Sequence, residues 1–174
     1  MRSWLLRRRR FRPLKPDAIK EEIRRIAGRE GLSITPGATD AVVYIAQGDM
    51  RKAINAVQGA AIISRSIDEM MIYAITSNAR PDEIQELLRL ALCGDFDGAE
   101  SLLSTLLHER GIAPNELINQ CYRALLNLDI ERGLKVELID HLGETDFRLS
   151  EGSNSDIQME ALLARFVSSA QKRR

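Results

Sequence analysis

The residues best suited to chemistry lie at the start of one short segment, 47-QGDMRKAINAVQ-58. Asp49 precedes an apolar helical pattern, so it is expected to cap a helix and to place Arg51 in the first turn. The free N–H groups and the positive dipole end there favour anions over cations. An arginine at this position is useful when an anion binds opposite it, because its forked donors match phosphate oxygens. The pattern therefore marks Arg51 as a candidate anion ligand.

The neighbours of Arg51 allow two interpretations. Lys52 adds a second positive charge, and Asn55 lies four residues further on, so it shares a helix face with Arg51. The alternative is an ordinary surface arginine whose charge is offset by Asp49 or Asp40. Residue types and spacing leave both interpretations open.

No other motif of an independent catalytic centre is present. The sequence contains no G-x-x-x-x-G-K-[ST], G-x-G-x-x-G, H-E-x-x-H or G-x-S-x-G. Cys93 and Cys121 each lie inside an apolar helical pattern, so both are expected to be buried reduced thiols. His108 and His141 are isolated from other ligand types, and no metal site is predicted.

Composition predicts an all-α protein. The 174 residues are 44% hydrophobic and 29% charged, which is enough for one good-sized core or two small ones. Aromatic residues make up only 5%, and Leu, Ile and Ala fill the apolar positions. There is no apolar run of about 20 residues and no cleavage site after the basic start, so an intracellular soluble protein without a membrane partner is expected.

Charge is distributed unevenly along the chain. Residues 1–80 carry 15 Lys/Arg against 8 Asp/Glu, whereas residues 81–174 carry 10 against 17. Six of the bases lie within residues 1–12, which have no acid, and without them the first half is nearly neutral. Such a run could contact phosphates, but like-charge blocks are more often solvated. Residues 1–12 are therefore predicted to be a disordered basic tail.

Glycine and proline divide residues 13–76 into three or four short helices. Pro16 and Gly31 bound the first, and 32-LSIT-35 is expected to be a plain link, too short for a sheet of its own. Thr35 starts the second helix, which Gly48 is expected to close. Asp49 caps the third, and 67-IDEMMIYAI-75 supplies a fourth. A small helical bundle is predicted.

A second bundle is predicted after 76-TSNARP-81, a polar stretch that marks a linker at residues 77–80. Residues 81–170 contain a denser apolar pattern with short connections, which is typical of five or six antiparallel helices. One predicted helix runs through Ala99 to Leu107 and ends at Gly111. The pattern also assigns Tyr122 and Ile157 to apolar helix faces.

Long stretches resemble replication factor C small subunits, the AAA+ clamp loaders, and are closer to archaeal versions. The lid subdomain of that family is similar to 11-FRPLKPDAIKEEIRRIAGREGLSITPGATDAVVYIAQGDMRKAINAVQGAA-61. The family's C-terminal collar is similar to 79-ARPDEIQELLRLALCGDFDGAESLL-103 and 127-NLDIERGLKVELIDHLGETDFRLSEGSNSDIQMEALLA-164. The resemblance implies a lid at 13–76 and a collar, used for oligomerisation, at 81–170.

The resemblance also implies a role for Arg51. In that family GDMR is the sensor 2 motif, whose arginine reaches the γ-phosphate of ATP, bound with Mg, in an adjoining nucleotide-binding subdomain. The collar packs one large and four small subunits into a hetero-pentameric ring that opens a sliding clamp at primer–template DNA. The acidity of residues 81–166 suits contact with protein better than contact with DNA. A cytoplasmic, nucleoid-associated location is implied for an archaeal protein, and a nuclear one for a eukaryotic protein.

The departures from the family limit the expected activity. The phosphate loop, the Walker B acids and sensor 1 are absent, and 3-SWLLRRRR-10 stands where the family has a Ser-Arg-Cys motif. The chain alone is therefore predicted to be inactive as an ATPase, and a displaced start site or a split gene is one hypothesis for the abrupt divergence. Two alternatives stay open: a non-enzymatic helical module that joins loader subunits, and a DNA-binding protein that uses its basic tail.

Overall fold

The computed structural model describes residues 13–173, and the predicted all-α class is confirmed there. Residue contacts divide the chain into two units, with the boundary between Thr76 and Ser77. Among the described residues, the first unit contains four helices and the second contains five, so the predicted bundle sizes are confirmed. The helices are α1 (Pro16–Glu30), α2 (Pro36–Ala46), α3 (Met50–Ile63), α4 (Glu69–Thr76), α5 (Pro81–Cys93), α6 (Phe96–Ser104), α7 (Pro114–Asn127), α8 (Arg132–Ser150) and α9 (Ser155–Gln171).

Proline and glycine set many of the helix ends. A proline occupies the first position of α1, α2, α5 and α7, where its missing N–H costs no hydrogen bond. Thr35 caps α2 by accepting a 3.1 Å hydrogen bond from the N–H of Ala38. Gly31 and Gly94 end α1 and α5 in the left-handed region, with φ of 65° and 87°. These ends follow from local sequence.

Residues 32–35 are more than the plain link that the sequence predicts. Strand β1 (Ser33–Ile34) pairs in parallel with strand β2 (Ser66–Ile67) in the first unit. The N–H of Ser33 donates to the carbonyl of Arg65 at 2.8 Å. The prediction was wrong because the pairing partner lies about thirty residues away, where local patterns cannot reveal it. The pair ties the α1–α2 link to the α3–α4 link.

The core of the first unit is built largely from small side chains. Ile19 and Ile23 of α1 are fully buried and pack against the other helices and Ile67 of β2. Tyr44 and Tyr73 meet edge to face with ring centroids 6.3 Å apart. Five alanines belong to the same cluster: Ala38, Ala41, Ala46, Ala53 and Ala60. Their small size allows neighbouring helices to approach closely.

Leucine dominates the core of the second unit. Leu88, Leu117 and Leu125 are among its fully buried members, and Phe166 packs with them. The predicted single helix ending at Gly111 is wrong, because α6 ends at Ser104 and a π-helical turn follows at Thr105–Glu109. In this wider turn the backbone N–H of Arg110 donates a hydrogen bond to the carbonyl of Thr105, five residues back.

Three side chains predicted to be buried in this unit are exposed. Cys93 is exposed at the end of α5, whereas Cys121 is buried as expected. Tyr122 is 42% exposed and Ile157 is 62% exposed. Apolar character alone misplaced these three side chains, because residue type does not show which positions of a helix face the core. The buried stripe is narrower than the apolar pattern.

Candidate functional site

The candidate site centres on the start of α3, where the sequence placed it. Asp49 is the cap, and its Oδ1 accepts a 2.8 Å hydrogen bond from the N–H of Arg51. Arg51 is the second residue of the helix, within the first turn. This hydrogen bond leads the effects that lower the pKa of Asp49, and the positive charge of Arg51 adds to it. The acid therefore stays ionised at neutral pH and fixes the helix end.

The guanidinium of Arg51 points away from the unit's core. Its side chain is 91% exposed, and its Nε lies 3.6 Å from Oδ1 of Asp49, a loose ion pair. Asp40, the other acid considered as a partner, forms a 2.6 Å pair with Lys20 of α1 instead. Asn55 is also exposed on the face of α3 that carries Arg51. Arg51 keeps donors available for an anion that approaches this face.

A loop of unusual backbone geometry positions this helix start. Gln47 and Gly48 both have positive φ, 50° and 87°, and the chain reverses sharply there. Helix α2 ends at Ala46, with Gln47 as its left-handed cap rather than the predicted Gly48. The carbonyl of Gly48 accepts a 3.0 Å hydrogen bond from the N–H of Leu14. A Cβ on Gly48 would lie 2.4 Å from Cβ of Pro13, so only glycine fits both the backbone angle and the space.

The segment before α1 and this loop together line an open groove. The groove has a volume of about 710 Å³ and is lined by Pro13, Leu14, and the five residues from Gln47 to Arg51. Leu14 and Met50 give it apolar walls beside the guanidinium. An apolar wall next to a forked cation can accept a flat ring and a charged group together.

Sequence reasoning identified Arg51 and its cap but missed the two sides of this groove. Pro13 and Leu14 lie more than thirty residues before the loop, so their contact with Gly48 is a tertiary pairing. Gln47 was missed because it is not glycine, although it adopts a left-handed conformation. One local signal was available: a glycine such as Gly48 directly before a cap residue is typical of a tight turn.

The second unit has an acidic groove rather than a basic one. The groove has a volume of about 310 Å³ beside the π-helical turn, and no Lys or Arg is among its lining residues. At the edge of the groove, Nε2 of His108 lies 3.9 Å from Oδ1 of Asp156. Such a surface repels a phosphate backbone. The acidic lining residues are Asp97, Glu100, Glu109, Asp156 and Glu160.

Exposed apolar side chains lie on the outer faces of α7 and α8. Tyr122 and Leu126 are one turn apart on α7, and both are more than 40% exposed. Val136 and Phe147 project from α8, with 63% and 60% of their surface exposed. Because α7 and α8 pack against each other, these exposed side chains offer apolar area that another protein could bury.

Membrane spans and metal clusters are both absent from residues 13–173. Within that range no helix combines the length and apolar character that a membrane span requires. In the same residues no three His, Cys, Asp or Glu side chains are grouped so that they could hold a metal ion. The predictions made for the basic tail, residues 1–12, lie outside the described residues.

Comparison with known proteins gives consistent matches. A family model, the replication factor C C-terminal domain, matches residues 79–165. A replication factor C small subunit of Methanoregula boonei is 73% identical over 165 residues, and one of Methanoculleus marisnigri is 67% identical over the same length. In both cases the match covers 95% of this chain and 51% of the relative. A third, from Archaeoglobus fulgidus, is 45% identical over 163 residues. The chain spans about half the length of these relatives.

Proposed function

The chain belongs to the replication factor C family, and from that premise we propose that it supplies the lid and collar of a clamp-loader small subunit. In this role residues 13–76 are the lid, and residues 81–170 are the collar that joins loader subunits. Arg51 acts as the sensor that contacts the γ-phosphate of ATP. The observation that carries the proposal is the exposed guanidinium of Arg51 at the capped start of α3, beside an open groove.

The geometry around Arg51 fits a nucleotide phosphate. The Asp49 cap holds the backbone N–H of Arg51, while the Arg51 side chain extends into solvent. A forked donor of this kind binds two phosphate oxygens at once. Because the positive end of the α3 dipole adds to the guanidinium charge, an anion is favoured there over a neutral group.

The nucleotide itself requires a second set of residues. ATP with Mg would supply the phosphate group that is transferred to water. The sequence offers a hydrogen-bond donor for a phosphate but no phosphate loop, so a nucleotide-binding core must come from elsewhere. We infer that Arg51 contacts the terminal phosphate from outside that core. Hydrolysis of ATP would then remove the group that Arg51 contacts.

The second unit fits contact with other loader subunits. Its exposed apolar residues on α7 and α8 offer area to bury, and its acidic groove disfavours direct contact with DNA. Large and small replication factor C subunits are the proposed direct partners. The sliding clamp and primer–template DNA would be reached through the assembled complex, in the cytoplasm of an archaeal cell.

The role of Arg51 can be tested in a chimaera that adds the part of a relative that this chain does not match. The part of the Methanoregula boonei relative that this chain does not match would be joined ahead of residue 13. Arg51→Ala should lower ATP hydrolysis by about a hundredfold, the usual cost of removing one donor from a transition-state oxygen. Arg25→Ala is the control, because it removes an arginine that pairs with Glu22 on α1. Equal activity in the two variants would contradict the proposal.

Assembly is tested separately on the chain as it stands. Mixed with the full-length Methanoregula boonei subunit, it should appear in native mass spectra within multi-subunit complexes. Peaks from the free chain alone would contradict the collar assignment. If the chain joins complexes but Arg51→Ala has no effect in the chimaera, the non-enzymatic assembly module becomes the better description.

A further inference from the structure

The short segment Asn78–Arg80 lies where the sequence predicts a linker, yet its residues are integrated into the second unit. Asn78 is only 8% exposed, and Ala79 is fully buried within the leucine-rich core. A solvated linker would leave both side chains in water. Two separate anchors hold this segment in place.

The first anchor is a buried amide pair. Gln120 of α7 is fully buried, and its Nε2 donates a 2.5 Å hydrogen bond to Oδ1 of Asn78. The same nitrogen lies 3.4 Å from Oε1 of Glu116, so two acceptors face it and fix the orientation of the amide. A buried hydrogen bond of this kind is costly to break, because water does not readily replace the lost partner.

The second anchor is the carboxylate of Glu83, whose side chain is only 11% exposed. Its Oε2 accepts a 2.9 Å hydrogen bond from the backbone N–H of Arg80. The guanidinium of Arg110 donates to the same carboxylate from the other side, with one N–O distance of 2.7 Å to each oxygen. Glu83 therefore joins the entry of the unit, the first turn of α5 and the residue after the π-helical turn.

Ser77, the residue just before Asn78–Arg80, has an unusual backbone conformation. Its φ is 49°, a left-handed value that is uncommon for a non-glycine residue. It follows Thr76, the last residue of α4, and it is exposed. The two anchors begin at the next residue.

We propose that Asn78–Arg80 is a clamped entry segment rather than a linker, and that the joint between the two units is confined to the backbone at Thr76 and Ser77. Glu83 and Gln120 are the positioning residues of this clamp. The clamp does not depend on nucleotide binding, so it stands or falls separately from the role of Arg51.

Backbone amide relaxation measured by NMR on the whole chain tests the clamp. Asn78, Ala79 and Arg80 should have order parameters of about 0.85, as in α5, with a lower value at Ser77. In the double variant Glu83→Ala/Gln120→Met the three values should fall below about 0.6. The exchange rate of the Arg80 amide hydrogen should also rise by about tenfold, because its acceptor is lost.

Glu86→Ala is the matched control. Glu86 lies on the same helix and pairs with Arg89 at 2.7 Å, but its side chain is 46% exposed and belongs to neither anchor. The control should leave all three order parameters unchanged. Values below about 0.6 at Asn78–Arg80 in the unaltered chain would overturn the proposal, whether or not the double variant folds. Uniformly high values from Thr76 through Arg80 would overturn the placement of the joint.

Discussion

The two units bury different kinds of side chain. The first relies on alanines such as Ala38, Ala53 and Ala60, with a few isoleucines between them. The second relies on leucines such as Leu117 and Leu125, together with Phe166. Small residues let helix backbones approach closely, whereas large residues fill a wider space with side-chain contacts. We therefore expect larger side chains in the core to destabilise the first unit most, and smaller side chains in the core to destabilise the second unit most.

The cysteines give a way to follow one unit alone. Both lie in the second unit. Burial raises the pKa of the Cys121 thiol to about 12, so it is unreactive while the core is intact. Cys93 is exposed and would react at once, so it is best replaced by serine. In that background, labelling of Cys121 by a thiol reagent reports unfolding of the second unit.

The largest expected effect is a cavity in the leucine core. Leu117→Ala should lower the free energy of unfolding of the second unit by about 2–5 kcal/mol, because Leu117 is fully buried. Urea denaturation followed by Cys121 labelling measures it. Leu126→Ala is the control, since Leu126 is 49% exposed on the same helix and should cost little. Similar losses for the two variants would contradict the assignment of the core.

The next effect is at the loop beneath the candidate site. Gly48→Ala should destabilise the first unit by about 2–4 kcal/mol, because of its positive φ and its contact with Pro13. A Cβ added at Gly28, inside α1, would meet nothing within 4 Å, so Gly28→Ala should instead stabilise by about 0.5–1 kcal/mol. Circular dichroism during urea denaturation measures both, and the same sign for the two changes would count against this geometry.

Overpacking the alanine core should cost somewhat less. Ala53→Leu adds three carbons at a fully buried position of α3 and should destabilise the first unit by about 1–3 kcal/mol. Gln58→Leu, at an exposed position of the same helix, is the control for added apolar volume. Cys121 labelling should not change in either variant. Faster labelling in Ala53→Leu would mean that the two cores are not independent.

The smallest effect is a pH dependence in the second unit. Hydrogen bonds from Ser169 and then from Arg173 hold the pKa of Glu137 below its usual 4.5, and Arg173 also lowers that of Glu131. Carboxylates with lowered pKa values stabilise the fold above about pH 4.5, and this contribution is lost as the pH falls through the folded-state values.

Arg173→Ala should therefore reduce the difference in urea midpoint between pH 6 and pH 3. Arg132→Ala removes the same charge from an exposed position of α8 and serves as the control. If Arg173→Ala leaves the midpoint difference as large as the control does, the ion pairs at the end of α9 do not stabilise the unit.

Much of the fold could be predicted because its signals are local. Prolines at first helical positions and left-handed glycines after last ones define helix ends within a few residues. The pairing of β1 with β2 could not be predicted, since two-residue strands carry no periodicity. The π-helical turn was missed for a related reason: one extra residue in a turn leaves the composition unchanged.

The candidate site was predictable in part. The order Asp49, Met50, Arg51 specifies a cap and a first-turn arginine, and the structure has both. Whether Asp49 or Asp40 lies beside Arg51 depended on the position of α1, because Lys20 of α1 forms an ion pair with Asp40. The groove wall at Pro13 and Leu14 likewise depended on a long-range contact. The ATP-sensing role of Arg51 stays a prediction.

The sequence by itself determined the all-α class, many of the helix ends and the family, because each depends on patterns of residue type along the chain. The match to the replication factor C C-terminal domain over residues 79–165 confirms the resemblance that the sequence shows to this family. Only the tertiary structure decided that Cys93 is exposed, that Gly48 contacts Pro13, and that Gln120 holds Asn78. These depend on distances between segments far apart in the chain, which packing fixes and composition does not.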